Sequence, residues 1–423
     1  MQSECRARVL ITGMGAVTPF GVGIEPLWKA LLDGANGIRA IDRFDASDYP
    51  CRVAGLLPRG FDFREELGEE ITSRTDEIQA LSIIATREAL RHGGLDPVDV
   101  DRSRFGVIGG AGTGHIQASW DYYLAVADGD WGKLDGSSMP RATFGAVSAW
   151  PARDQGLRGP NESVCLACAS GNAAIAIATR LIREGQADRM LAGAADYFHE
   201  TGLQFFSRSG AIASAENGDA IDIMRPFDRN RAGIVLADGA GYVLLESEKA
   251  ARARGAKIYG EVLGFGQTAD AYSMVMPRAD GEPIAMAIRY ALRDASIEAS
   301  EVEYICAHGT GTQASDPTEV AAIKAALGDH AQRVPVSSVK SLFGHSLGAS
   351  SALEVITATL ASNRGVIPAT PRLEDPDPLC DLDHVPGTPR PQTWRTFLNN
   401  SFGFGGQNVV LAVRGGDPEE GRP

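Results

Sequence analysis

The stretch that most limits what this chain can fold into is residues 164–196, VCLACASGNAAIAIATRLIREGQADRMLAGAAD. A short apolar run reaches Cys168, the small residues Ala169, Ser170 and Gly171 follow, and a segment rich in Ala, Ile and Leu continues to Glu184 before Gly185 stops it. That order predicts strand, tight turn, helix. The helix is apolar on nearly every side (Ala173, Ala174, Ile175, Ala176, Ile177, Ala178, Leu181, Ile182), so other elements must enclose it. Residues 336–362 repeat the pattern. The first unit pairs with VLADGAGYVLLE and the second with LNNSFGFGGQNVVLAV, each read as two short strands about a glycine turn. A duplicated unit of this kind predicts one fused α/β core of two similar halves, with sheets covered on both faces.

In chain order, residues 9–12 predict a strand leading into a Gly/Pro loop, and 26–32 a short helix closed by Gly34. Residues 75–92 predict an amphipathic helix with Ile78, Leu81, Ala85 and Leu90 on its inner face, stopped by Gly93 and Gly94. A strand over 104–109 runs into Gly110, Gly112 and Gly114. The spacing is not GxGxxG and no acidic residue is placed to take a ribose, which argues against a dinucleotide loop. Residues 115–150 hold three of the five tryptophans (Trp120, Trp131, Trp150) with Tyr122 and Tyr123. Such density suits a pocket floor, a partner surface or ordinary core packing. Residues 225–246 read as a loop and two short strands, then a surface helix ends at Gly255. The main boundary is placed there. A second series follows: strand 258–266, helix 283–295, strand 304–307 ending at His308, a helix from Pro317, strand 334–339, a long helix to about 362 and a final strand pair around NNSFGFGGQN. The expected division is 1–256 and 257–416, with a frayed polar tail at 417–423 that begins to loosen from Gly415.

The 423 residues provide ample material for a large core, with 44% hydrophobic and 22% charged residues. A net charge of −14 disfavours nucleic acid and anionic membranes as partners, since phosphate binding needs clustered Lys/Arg. Six cysteines (5, 51, 165, 168, 306, 380) show neither disulfide-framework nor zinc-ribbon spacing, which fits a reducing cytoplasm. The N-terminal apolar run is cut by Gly13, Gly15 and Pro19, so it reads as a buried strand rather than a signal peptide. No run approaches the ~18 apolar residues needed to span a bilayer.

Cys168, at the head of a helix, is a candidate nucleophile whose pKa the helix N-terminus should lower; the plain alternative is a buried small hydrophobe. Three further motifs stand at strand ends: AHGTGTQASDPTE with His308, VSSVKSLFGHSLGAS with Lys340 and His345, and the glycine-rich NNSFGFGGQN. Each has an ordinary structural alternative. His308 fits a core histidine, Lys340 a surface charge, and Glu319 the third residue of a capping box with Asp316 as cap and Pro317 next.

Together these motifs resemble the β-ketoacyl-acyl-carrier-protein synthases, elongating condensing enzymes of the thiolase-like superfamily. The resemblance runs from VLITGMGAVTPFG through ACASG, RPFD, HGTGT, KSLFGH and NSFGFGG, in family order. It implies a layered α-β-α-β-α fold of two pseudo-symmetric halves, and a homodimer or a heterodimer with a related ketosynthase subunit. It further implies a Cys-His-His triad at Cys168, His308 and His345, with Lys340 and Glu319 as supporting Lys and acid. Phe404 matches the gating phenylalanine, and the backbone N–H groups of Cys168 and Phe404 an oxyanion hole. Thr310, Thr312, Phe402, Gly403 and Gly405 are carried over as substrate-binding positions. The implied reaction needs no metal or redox cofactor, because acyl groups arrive on the phosphopantetheine of an acyl carrier protein. The pathway implied is fatty acid or type II polyketide or polyene synthesis.

Asn172, Gln313, Ala237, Asp238 and Gln407 depart from the family pattern, and these bear on specificity rather than on the triad. Three rival readings are a chain-length-setting partner subunit, which would lack the nucleophile; a thiolase, which would need a second site cysteine such as Cys380; and a zinc module built on Cys168, His308 and His345.

Overall fold

The computed structural model describes residues 6–214 and 220–416; the expected tail at 417–423 lies outside them. The strands of the main sheet are β1 Val9–Thr18, β2 Phe105–Gly110, β3 Asn161–Val164, β4 Arg189–Asp196 and β5 Gly239–Ser247, then β6 Gly260–Ala269, β7 Tyr304–Cys306, β8 Val336–Ser337, β9 Thr396–Gly403 and β10 Gln407–Gly415. Their spatial order is β8-β7-β9-β10-β6-β1-β5-β4-β2-β3, with the short strand Gly21–Val22 paired to β1. Read outward from the central β6/β1 contact, the two halves are the same arrangement. β2 is parallel to β3 and β4, as β7 is to β8 and β9. The β4/β5/β1 run is antiparallel, as is β9/β10/β6.

Four helices explain why the chain must fold in layers. They are α1 Glu77–His92, α2 Ser170–Arg183, α3 Glu282–Ala295 and α4 Leu347–Asn363. α1 covers the outer face of the first half and α3 that of the second, while α2 and α4 pack against each other between them. Every residue of α4 is buried, as an all-round apolar helix requires. Successive residues of β5 alternate between layers: Tyr242 and Leu244 face α1, whereas Val243 and Leu245 face the central helices. The outer helices sit close because the strands beneath them carry glycine. A Cβ on Gly15 would lie 2.0 Å from Ala85 O, and one on Gly266 would lie 2.0 Å from Ala287 O. The GMG and GFG triplets of β1 and β6 are thus the same device in the two halves.

α1 starts at Asp76, which forms a reciprocal capping box with Gln79 and buries the four expected inner-face residues. Three expectations need correction. β1 runs on through Gly13 and Gly15 to Thr18 rather than turning into a loop after residue 12. Residues 225–246 contain one strand of the main sheet, β5, not two. Leu236 and Ala237 instead make isolated bridges to His345 and Gly55, and Asp238 is held by the two terminal guanidinium nitrogens of Arg43 and by the N–H groups of Leu57 and Phe198. Gly415 is not the start of a loose tail, since it closes β10 with its N–H donated to Arg395 O. No helix among the described residues is long and apolar enough to cross a membrane.

Candidate active site

β3 ends at Val164, and residues 165–169 form an irregular turn into α2. Ala167 holds a left-handed φ of 46°, a conformation costing about 1–3 kcal/mol that concentrates at functional sites. Ser170 Oγ accepts the Leu166 N–H at 2.9 Å, and Ser401 Oγ donates to Cys168 O at 2.9 Å. The turn therefore presents Cys168 in a fixed position, facing the second half of the molecule.

His345, between β8 and α4, places Nε2 3.1 Å from Cys168 Sγ, and its Nδ1 lies 2.9 Å from Ser350 Oγ. His308 follows β7. Its ring stands edge-to-face to His345 at 5.7 Å and to Phe402 at 5.3 Å. Two buried charged groups hold the His308 backbone from opposite ends. Lys340 Nζ donates to His308 O at 2.6 Å. Glu319 accepts the N–H groups of His308 and Gly309 at 2.8 Å each, with Asn400 Nδ2 at 3.0 Å.

The expected capping box is therefore not there. The helix Ser315–Leu327 begins before Asp316, and its two acids turn inward: Asp316 accepts from Phe227 N and Gly311 N. Nor is Glu319 the ion partner of Lys340. That partner is Glu354, fully buried on α4. Sequence reasoning missed Glu354, although α4 (LGASSALEVITATLASN) contains no other charged residue. A single carboxylate on an enclosed helix is the signal that would have found it. Ser350 lies inside the quoted motif, five residues after His345, but as one of several small residues there it gave no signal of its own.

Burial dominates the electrostatics. It pushes the Cys168 thiol up to about 12, with the nearby Lys340 charge opposing and Asp196 adding to it. This reverses the lowered pKa expected from the helix head: α2 begins two residues later, and desolvation outweighs its dipole. Burial and the Lys340 charge hold both His308 and His345 below the ordinary histidine range, so the rings are neutral. Burial also raises Glu319, and lifts Glu354 and Asp316 to about 7 each.

These groups open into a cavity of about 230 Å³ with Thr310, Thr312, Phe402, Gly403 and Phe404 in its walls. Gly403 must be glycine, because a Cβ there would lie 2.7 Å from Leu166 O and 3.3 Å from Cys168 N. Phe404 stacks on Phe206 at 5.6 Å. Gly405 does not reach the cavity. It sits in the turn at φ 85° with its N–H on Met274 O, and Gly406 lines the wall instead. The aromatic stretch 115–150 is not the floor of this cavity: Trp120, Tyr123 and Trp131 are exposed. Cys380 is also elsewhere, in the apolar cluster of the second half with Leu373.

The sulfur and ring nitrogens of Cys168, His308 and His345 lie within 4.8 Å of one another, close enough to test a zinc reading. The Lys340 charge lies near Cys168 and opposes a cation at that position. The trio suits neutral hydrogen-bond donors and a nucleophile.

Residues 6–251 match the β-ketoacyl synthase N-terminal domain, and residues 259–374 the β-ketoacyl synthase C-terminal domain. A 3-oxoacyl-[acyl-carrier-protein] synthase 2 of Synechocystis sp. is 39% identical over 410 residues, covering 97% of this chain and 98% of its own length. Among solved structures, a type II polyketide acyl-carrier protein in complex with its ketosynthase superposes with a TM-score of 0.88 at 31% identity, over 97% of this chain and 100% of that one. The ishigamide ketosynthase/chain length factor gives a TM-score of 0.88 at 35% identity, again over 97% and 100%. With its duplicated layered fold and a cysteine facing two neutral histidines, the chain belongs to the β-ketoacyl synthase family.

Proposed function

We propose that the protein joins an acyl group carried on Cys168 to a malonyl group on an acyl carrier protein, with loss of CO2, giving a β-ketoacyl thioester two carbons longer. The observation that carries this reading is the 3.1 Å approach of His345 Nε2 to Cys168 Sγ in the wall of the cavity of about 230 Å³, with His308 alongside.

In the first half-reaction the Cys168 sulfur attacks the carrier thioester carbonyl and the bond to the pantetheine sulfur breaks. The thiol proton passes through His345 Nε2 to the leaving thiolate. Ser350 makes this possible, since its hydroxyl can accept from or donate to Nδ1 and so supports either tautomer. The tetrahedral oxyanion is met by the N–H groups of Cys168 and Phe404, which the close seat of Gly403 brings together. In the second half-reaction malonyl loses CO2, and the bonding electrons enter the thioester as an enolate. Neutral His308 and His345 donate N–H bonds to that oxygen where charge develops. The enolate carbon attacks the acyl-Cys carbonyl, the C–S bond breaks, and the Cys168 thiolate takes a proton from solvent.

Lys340 and Glu319 are positioning residues, one on the carbonyl and one on the amide of His308. Thr310 and Thr312 offer hydroxyls along the approach of the pantetheine arm, which delivers both acyl groups, so no resident cofactor is required. The Cys168 half, residues 1–256, and the histidine half, 257–416, each supply part of the site. A cytoplasmic dimer, with itself or with a related ketosynthase subunit, serving fatty acid or type II polyketide synthesis completes the reading. A chain-length partner subunit is disfavoured by the intact Cys168–His345 contact. Intact mass after incubation with a panel of acyl-carrier thioesters tests it: acyl adducts on the parent and none on Cys168→Ala are expected, and adducts persisting in Cys168→Ala would overturn the assignment.

A further inference from the structure

Arg231 stands where distant segments of the chain meet, with its side chain only 1% exposed. Every guanidinium nitrogen is used. Nε donates to Thr312 O at 2.9 Å, one terminal nitrogen to Gln313 O at 3.0 Å, and the other to Asp228 O at 2.9 Å and Asp377 Oδ2 at 2.6 Å. Gln313 returns the contact, donating Nε2 to Arg231 O at 2.6 Å. The anchors are themselves held: buried Asp228 accepts the N–H groups of Asn230, Glu374 and Asp375, and Asp377 accepts that of Leu379. A planar fork of fixed donors, anchored in this way, sets two successive carbonyls in one geometry, which a lysine ammonium on a flexible stem cannot do.

The loop that ends on those carbonyls cannot fix itself. Gly309 and Gly311 take left-handed φ values of 37° and 75°, and glycine leaves the backbone many alternatives to such a conformation. At the His308 end the loop is tied by Lys340 and Glu319. In the middle, Asp316 accepts the Gly311 N–H and Gly311 O accepts the Gly233 N–H at 2.9 Å. At the far end the tie is Arg231. Thr310, Thr312 and Gln313 line the cavity that contains Cys168, whereas Arg231 lies behind that wall. The hydroxyls of Thr310 and Thr312 stand 3.4 Å apart, and that of Thr312 also accepts the Ser315 N–H at 3.2 Å.

We infer that Arg231 is a positioning residue for the carrier arm: by holding the Thr312 and Gln313 carbonyls, it sets the Thr310 and Thr312 hydroxyls where the pantetheine arm passes on its way to Cys168. This rests on the proposed function, which brings that arm along this wall. The ties on the loop then divide the work. Lys340 and Glu319 hold His308 for the chemistry, and Arg231 holds the threonines for binding. Contacts to a part of the substrate that does not react are made equally before and in the transition state, so losing them raises KM and leaves the maximal rate unchanged.

The test follows Cys168 acylation by intact mass over a range of concentrations of two donors of the same acyl group. One is an acyl-pantetheine thioester and the other an acyl-ethanethiol thioester, which has no arm. Alkylation of Cys168 by iodoacetamide is timed beside them. In Arg231→Lys, which keeps the charge next to Asp377, the KM for acyl-pantetheine should rise about tenfold, the scale of one or two misplaced hydrogen bonds. The maximal rate, the ethanethiol reaction and the alkylation should each stay within about twofold of the parent. Arg231→Met should show the same split, at least as large. An unchanged KM for acyl-pantetheine in Arg231→Lys would overturn the inference. Equal slowing of both donors and of alkylation would also overturn it, since that marks a general loosening of the fold. Failure of the parent to load either donor would overturn the proposed function itself, and the inference with it.

Discussion

Replacing Glu354 by Gln keeps the shape of the side chain and removes its charge, which leaves the Lys340 ammonium alone in the interior. Both side chains are fully buried and in contact, so there is no solvent screening to soften the loss. Breaking a buried pair from one side costs about 3–5 kcal/mol, mostly the penalty of the stranded charge. The double variant Lys340→Met with Glu354→Gln removes that charge as well and should recover most of the stability, to within about 1–2 kcal/mol of the parent. Activity should not recover with it. Lys340 Nζ also donates to His308 O at 2.6 Å, and methionine cannot make that bond. Urea denaturation read as midpoint at constant slope gives the stabilities, and malonyl decarboxylation by pre-acylated protein gives the activity. Stability of Glu354→Gln within about 0.5 kcal/mol of the parent would refute the buried-charge argument. Full decarboxylation in the double variant would show that Lys340 does nothing for His308.

His308→Ala and His345→Ala should each slow malonyl decarboxylation by roughly 10² or more, the scale of one lost oxyanion donor. His345→Ala alone should also slow Cys168 acylation, because its Nε2 is the atom 3.1 Å from the sulfur; equal effects from both variants on acylation would contradict this division. Phe404→Ala removes the ring stacked on Phe206 and should allow malonyl decarboxylation without a bound acyl group, seen as CO2 release in the absence of an acyl donor. For pH, burial and Lys340 hold both histidines below their usual range. The neutral, competent form therefore persists as pH falls, and decarboxylation by pre-acylated protein should hold its rate below about pH 6.5, where an ordinary histidine is half protonated. An acid limb centred at about 6.5 would contradict it.

The duplication was legible because it is written in patterns of short range. Two all-round apolar helices, each after a small-residue turn, can only be buried, and α2 and α4 are the packed central layer that follows. Cys168, His308 and His345 were legible for a similar reason, each lying in a small-residue segment that follows a strand and that the layered order turns toward the same cavity. What the sequence hid depends on contacts between distant residues. Nothing in the spacing of Lys340 says whether it pairs with Glu319, before it in the chain, or with Glu354, one helix later. The fold decides, by facing α4 toward it. The thiol pKa was misjudged because a helix head is visible in sequence and desolvation is not. Residues 234–237 looked like a strand because they are apolar. They are pinned across the molecule instead, through Arg43–Asp238 and the Leu236–His345 bridge. The departure at Asn172 gains a reason only in three dimensions, since its amide donates to Asn399 O and Val409 O and ties α2 to the second half.

The most direct test of the central claim is a single turnover. Protein carrying one acyl group on Cys168 is mixed with malonyl carrier protein, and three quantities are followed together: the acyl mass on Cys168, CO2 release, and the β-ketoacyl product. The acyl-Cys mass should vanish at the rate at which product two carbons longer appears, with one CO2 per product. Product forming while the acyl group remains on Cys168, or forming equally in Cys168→Ala, would contradict the account.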